Sequence, residues 1–167
     1  MPSEILSEKL LHQLGQKVAE YNALSGNCAQ TAFLTIQELF DLDGGSILKA
    51  LTPFPGIGLR GETCGAVTGP LMALGLVFGR DRDQLGDWSI YTASLRPARH
   101  FCSTFEKELG STMCGDLVEA KFGRRFNLAD PAESMEWAKC GAVEKCGEII
   151  CTGVRIASEI IASNSAR

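Results

Sequence analysis

Seven cysteines stand in this chain of 167 residues, at positions 28, 64, 102, 114, 140, 146 and 151. A thiolate attacks disulfides and binds soft metals, whereas the neutral thiol does neither well. No two of them form C-x-x-C, so the thioredoxin dithiol, the zinc ribbon and the ferredoxin run have no direct match. Their placement is more telling. Cys64 lies in GIGLRGETCGAVTGPLMALGLVFG, residues 56–79, where a glycine-rich loop leads into an apolar segment. With Thr63 as N-cap, Cys64 becomes the first helical residue, near unpaired N–H groups and the positive helix end, a setting that favours thiolate. Pro70, which lacks an N–H, points instead to a regular helix from Thr68, with CGAV as a turn.

Cys28 follows Asn27 in Asn27-Cys28-Ala29-Gln30, the form of a capping box, and so also stands at a helix start. Ser111 can cap a third helix and place Cys114 in its first turn. Cys146 falls on the apolar stripe Cys146, Ile149, Ile150, Gly153, Val154, Ala157 and Ile160. Cys151 sits between Glu148 and Arg155 on the polar side. Such thiols can be plain core residues. Three helix N-termini aimed at one point would instead lower all three pKa values and favour an anionic cluster or a disulfide-exchanging pair.

The elements that must position these thiols read as helices throughout. Residues 4–24 are amphipathic, with Leu6, Leu10, Leu14, Val18 and Tyr21 on one face. A helix from Cys28 runs through Phe33, Ile36 and Phe40 to a turn at 41–45, and a short one over 46–52 ends before Pro53 and Pro55. Gly65, Gly69 and Ala73 leave one face of the Cys64 segment bare for close approach by another backbone. Residues 87–109 form a longer helix with a kink at Pro97, closed by Gly110. Gly123 ends the Cys114 helix. Asp130-Pro131-Ala132-Glu133 is a strong start signal, and the last helix or pair of helices runs to about Ala162. The expected architecture is all-α: a compact single-domain bundle of five to seven helices over residues 1–167.

Two motifs fail in context. Gly56–Gly61 satisfies G-x-G-x-x-G, but LTPFP precedes it where a dinucleotide site needs a β-strand, so it reads as a tightly turning loop. Asp41-Leu42-Asp43-Gly44 has Thr52 where a calcium loop needs its bidentate Glu. His12 reads as solvated and His100 as satisfied by backbone or water, while Trp88 and Trp137 read as core or interface anchors.

The composition, 45% hydrophobic and 22% charged, suits a globular domain with a real core. A net charge of -4 without a basic cluster argues against nucleic acid. Glu4, Glu8 and Lys9 leave no room for a signal-peptide h-region, and the longest uncharged run, Thr63 to Gly79, is too short for a membrane span. A cytoplasmic address is expected. There the cysteines would be free, metal-bound or redox-active, and an odd count leaves at least one unpaired.

The same residues resemble the C_GCAxxG_C_C family of bacterial and archaeal redox-active proteins, named for four cysteines spread over one domain. Its short element corresponds to Cys64-Gly65-Ala66-Val67-Thr68-Gly69. Its first cysteine matches Cys28, its third Cys114 in Met113-Cys114-Gly115-Asp116-Leu117, and its fourth Cys146, with Cys140 as the alternative. Related domains occur in split-Soret cytochromes, whose haems attach through C-x-x-C-H; that motif is absent here. The resemblance implies an iron–sulfur centre, two-iron by preference, held by Cys28, Cys64, Cys114 and Cys146 and lost from an air-exposed sample. The resemblance suggests redox chemistry without naming a reaction, and the leading expectation is electron transfer to a partner oxidoreductase. The metal-free alternative uses Cys64 as nucleophile and Cys28 or Cys114 as resolving thiol. A purely structural helical subunit, or a homodimer, is the third expectation.

Overall fold

Several helices in this protein begin at a capping side chain and end at a left-handed residue that closes the last turn. A computed structural model describes residues 6–165. In it Ser7 caps α1 (Glu8–Ser25) and Gly26 closes it at φ 59°. Asn27 caps α2 (Cys28–Phe40), its side chain accepting from the Gln30 N–H at 3.0 Å. Residues 4 and 5 of the expected first helix lie outside the described residues. The capping box is half made, because the Gln30 amide reaches across to Leu48 O and Thr52 Oγ1.

The short α3 (Gly45–Ala50) and the irregular turn α4 (Gly56–Leu59) follow, then α5 (Gly65–Phe78). After a 3-10 turn at Arg82–Gln84 come α6 (Trp88–Leu109), α7 (Cys114–Phe122), α8 (Pro131–Lys139) and α9 (Ala142–Ser165). Asp87 caps α6 and Asp130 caps α8, with Pro131 in the first turn. Gly110 and Gly123 close α6 and α7 in the left-handed region, as expected. The fold is compact and all-α. The described residues form nine α-helices, more than the expected five to seven, because α4 is an additional short piece and the last segment is two helices, α8 and α9.

α2, α5 and α9 pack on one another at the centre, with α1 against α2 and α9 and α6 against α5 and α9. Phe33, Ile36, Val67, Leu74, Phe101, Phe105, Ile150 and Val154 fill this core and are at most 2% exposed. The helices approach closely because glycines mark their crossings. A Cβ built on Gly69 would stand 2.3 Å from Ala29 O, and one on Gly65 2.6 Å from Ala29 N. The small-residue face of α5 is therefore where the α2 backbone lies, as its sequence led us to expect. Gly153 of α9 does the same on the opposite side, with Ala66 O only 2.2 Å from its Cβ position. That carbonyl is four residues before Pro70, which has no N–H to offer it.

Three local expectations are corrected. α5 begins at Gly65 and carries Pro70 inside it, with no separate turn before Thr68. Cys64 itself is the N-cap, in an extended conformation, and makes no side-chain capping bond. Met113, not Ser111, is the N-cap of α7, while Ser111 Oγ accepts from the Met113 N–H and donates to Asp116. Both shifts have one cause. Residues 61–64 and 112–115 pair as a short extended clasp, with Cys64 N donating to Thr112 O at 2.9 Å and Cys114 N to Glu62 O at 2.7 Å.

Candidate functional site

That clasp places the starts of α5 and α7 side by side, and with them Cys64 and Cys114. α2 adds Cys28 where its first turn crosses Gly65, and α9 adds Cys146 one turn into the helix. All four cysteines line one cleft of about 270 Å³. Cys64 and Cys114 are buried at 6% and 8% exposure, while Cys28 and Cys146 are partly exposed. No charged residue and no histidine lines the cleft among the described residues; its walls are apolar, built from side chains such as Leu117, Val118, Leu128, Trp137, Ile149 and Ile150. Asn22 and Ser134 supply the polar side chains of the lining besides the cysteines. Asn22 is itself committed, its amide donating to Val143 O at 2.8 Å and tying α1 to the start of α9.

The loop over Cys114 is strained. Ile57 and Leu59 have φ of 51° and 63°, in the region that side chains with a Cβ avoid, and Gly56, Gly58 and Gly61 are also positive. Gly56 is required at its position, since a Cβ there would lie 3.2 Å from Gly61 N and 3.5 Å from Cys114 Sγ. The G-x-G-x-x-G match is thus a tight turn that covers a thiol, as its context indicated.

Within the cleft, Cys28 and Cys64 are neighbours that shift one another's titration in opposite directions. The Cys64 thiol beside it, then the N–H groups of Gly65 and Ala29, hold the Cys28 pKa below the ordinary value despite burial. Cys64 is the member of the pair that holds its proton more tightly. Its pKa is pushed well above the ordinary value, first by its neighbour Cys28 and then by burial. Burial raises Cys114 and Cys146 to about 12 each. The expectation that Cys28, Cys64 and Cys114 would all be lowered is therefore corrected: one anion is favoured, at Cys28, where N–H groups from two helix starts meet. Cys64 and Cys114 stand at helix starts as well, but lie in apolar surroundings that oppose a second and third charge.

The other cysteines stand apart. Cys140 is exposed at the end of α8 and does not line the cleft, so geometry favours Cys146 as the fourth member. Cys102 and Cys151 are partly exposed on α6 and α9, with raised pKa values from burial. His12 and His100 are exposed. Trp88 is 72% exposed and so is no core anchor, whereas Trp137 forms part of the cleft wall.

The family pattern "Putative redox-active protein (C_GCAxxG_C_C)" matches residues 26–160, which span the whole of this four-cysteine arrangement. The chain belongs to that family. No curated protein and no solved structure matches it. In this C_GCAxxG_C_C protein the named cysteines are spread from α2 to α9, and the fold gathers them at one cleft. No described helix is long and apolar enough to cross a membrane.

The donor set can be tested against metal chemistry. Among the described residues no group of three or more His, Cys, Asp or Glu stands ready to hold a metal ion. A single tetrahedral ion therefore has no preformed site. Four thiols around a largely apolar cleft are donors of the soft type that iron–sulfur clusters use.

Proposed function

We propose that the cleft is a one-electron redox centre in which Cys28, Cys64, Cys114 and Cys146 hold an iron–sulfur cluster. The observation that carries this reading is the lining itself: four soft donors from four helices, and no charged side chain among the described residues around them. A bound cluster would supply one-electron transfer. The chain's residues set its conditions. Cys28 is the thiol most readily deprotonated, and the remaining three must each lose a proton on ligation, which their burial resists. The apolar walls restrict water and lower the local dielectric, which tunes a potential. Leu59 and Val143 line the cleft and are 41% and 43% exposed, giving it an apolar rim suited to a partner oxidoreductase. Unbridged cysteines fit a reducing cytoplasm.

The Cys28–Cys64 pairing favours a second reading, disulfide exchange without metal. In that reading the Cys28 thiolate attacks one sulfur of a disulfide substrate and expels a thiolate. Cys64 then gives up its proton and attacks the Cys28 sulfur, releasing the second thiolate. The substrate gains two electrons and the chain gains a Cys28–Cys64 disulfide. The nucleophile is then Cys28 and the resolving thiol Cys64, the reverse of the expected order.

Iron and acid-labile sulfide analysis on protein prepared without oxygen separates the two. The cluster reading expects both elements in fixed proportion, with charge-transfer absorption in the visible. Colourless, iron-free protein that gains two titratable thiols on reduction would refute the cluster and support exchange.

A further inference from the structure

The walls of the four-cysteine cleft offer nothing to a charged molecule. The cleft encloses about 270 Å³, just under the range of about 300–1,000 Å³ typical of sites for drug-sized ligands, so it suits a small molecule. Leu59, Leu117, Val118, Leu128, Ile149 and Ile150 form much of its surface, and no charged residue or histidine lines it among the described residues. Of its two polar side chains other than cysteine, Asn22 already spends its amide on Val143 O at 2.8 Å. The cation whose field reaches Cys146, Lys121, is ion-paired with Glu148. A carboxylate or ammonium group entering the cleft would shed water and find no counter-ion.

Two sulfurs that can react stand together at this cleft. A Cβ on Gly65 would lie 2.3 Å from Cys28 Sγ, and Gly65 directly follows Cys64. Cys28 is partly exposed while Cys64 is buried at 6% exposure, so an entering disulfide meets Cys28 first. Cys28 is also the thiol of lowered pKa, with Cys64 as the first cause.

Resting on the disulfide-exchange reading above, we propose that the substrate of this cleft is a small uncharged disulfide, and that its walls reject the disulfides of amino-acid and peptide thiols, which carry carboxylate and ammonium groups. The Cys28 thiolate bonds to one substrate sulfur, the substrate S–S bond breaks, and the other sulfur leaves as a thiolate. Cys64 gives its proton to that thiolate and attacks the Cys28 sulfur, which releases the second fragment as a thiolate. Two electrons thus pass from the cysteine pair to the substrate. Long-range charge would rank substrates differently. A chain of net charge -4 with an anionic sulfur would draw a dication fastest, whereas an apolar cleft favours the neutral compound over either sign.

Three aliphatic disulfides of similar size separate these cases: cystamine, a dication; hydroxyethyl disulfide, which is neutral; and dithiodipropionate, a dianion. Reduced full-length protein, prepared without oxygen, is mixed with each. Formation of the Cys28–Cys64 disulfide is followed by acid quenching, alkylation and peptide mass spectrometry, and each rate is divided by that of free mercaptoethanol with the same compound. The neutral disulfide is expected to lead both charged ones by more than about tenfold on this scale. An equal or faster normalised rate with cystamine or dithiodipropionate overturns the uncharged-substrate proposal and leaves disulfide exchange intact. Protein that none of the three oxidises at Cys28 and Cys64, or that carries iron and sulfide in fixed proportion, refutes the exchange reading and this specificity together.

Discussion

Alanine at Gly65 should damage both the fold and the thiol pair, while alanine at Gly75 of the same helix should improve stability. A Cβ on Gly65 would lie 2.3 Å from Cys28 Sγ and 2.6 Å from the backbone nitrogen of Ala29, whereas one on Gly75 meets nothing within 4 Å. Gly75 is interior to α5, so Gly75→Ala gains helix propensity of about 0.5–1 kcal/mol. Gly65 is the first residue of the helix, where that gain is small, and forcing a methyl into a packed crossing costs about 1–3 kcal/mol. The two variants should therefore differ by roughly 1.5–4 kcal/mol, on the order of 10 °C in melting temperature for a chain of this size. Gly65→Ala must also push Cys28 Sγ away from the Gly65 N–H that helps to hold its charge. Thermal melts of reduced protein under argon, with iodoacetamide rates at Cys28 by mass spectrometry, read both effects. A Gly65→Ala protein that melts as high as Gly75→Ala and alkylates at the wild-type rate would refute the close crossing of α2 and α5.

Three further outcomes follow from the same geometry. Cys28 should react with iodoacetamide at lower pH than a cysteine of ordinary pKa, and Cys64→Ala, which deletes the neighbour that lowers it most, should move its profile upward; an unmoved profile contradicts the pairing. In metal-free reduced protein, Cys114 and Cys146 keep their protons up to about 12 while unfolded thiols release theirs near 9. Their contribution to stability is therefore present below pH 9 and lost as pH rises, by about 1.4 kcal/mol per pH unit for each thiol. Urea unfolding from pH 8 to 11 should show that slope, and Cys114→Ala should reduce it. Asp130→Ala removes the cap of α8 and should cost about 1 kcal/mol while shifting Trp137 fluorescence, whereas an unchanged emission would mean that α8 holds its wall without the cap.

Local signals accounted for much of this fold. Asn27, Asp87 and Asp130 cap helices because their side chains reach the free N–H groups of the next turn, and that geometry is written in three or four adjacent residues. The bare face at Gly65 and Gly69 likewise announced a close crossing. What could not be read was anything set by pairing across long separations. The clasp between 61–64 and 112–115 moves the caps of α5 and α7 by one or two residues, and no local pattern encodes it. The four cysteines could be picked out by their helix-start and inner-stripe positions. Their division into one low-pKa thiol and three raised ones depends on which sulfur receives N–H groups from two helices at once. Pro70 was misleading because the Ala66 carbonyl, to which Pro70 has no N–H to donate, packs against Gly153 of α9, and that crossing is set by tertiary packing. Trp137 read as a core or interface anchor and stands in the cleft wall, but which wall it joins depends on packing across α8 and α9.

The central claim is that Cys28, Cys64, Cys114 and Cys146 act as one redox centre, and cysteine mapping on anaerobically purified protein tests it most directly. Alkylation of the native protein followed by peptide mass spectrometry, alongside iron and sulfide analysis, should find those four protected together and released together when the cluster is stripped. Cys140 should be modified throughout. Iron-free protein in which the four react independently of one another, and in which no two of them pair on oxidation, would contradict the account.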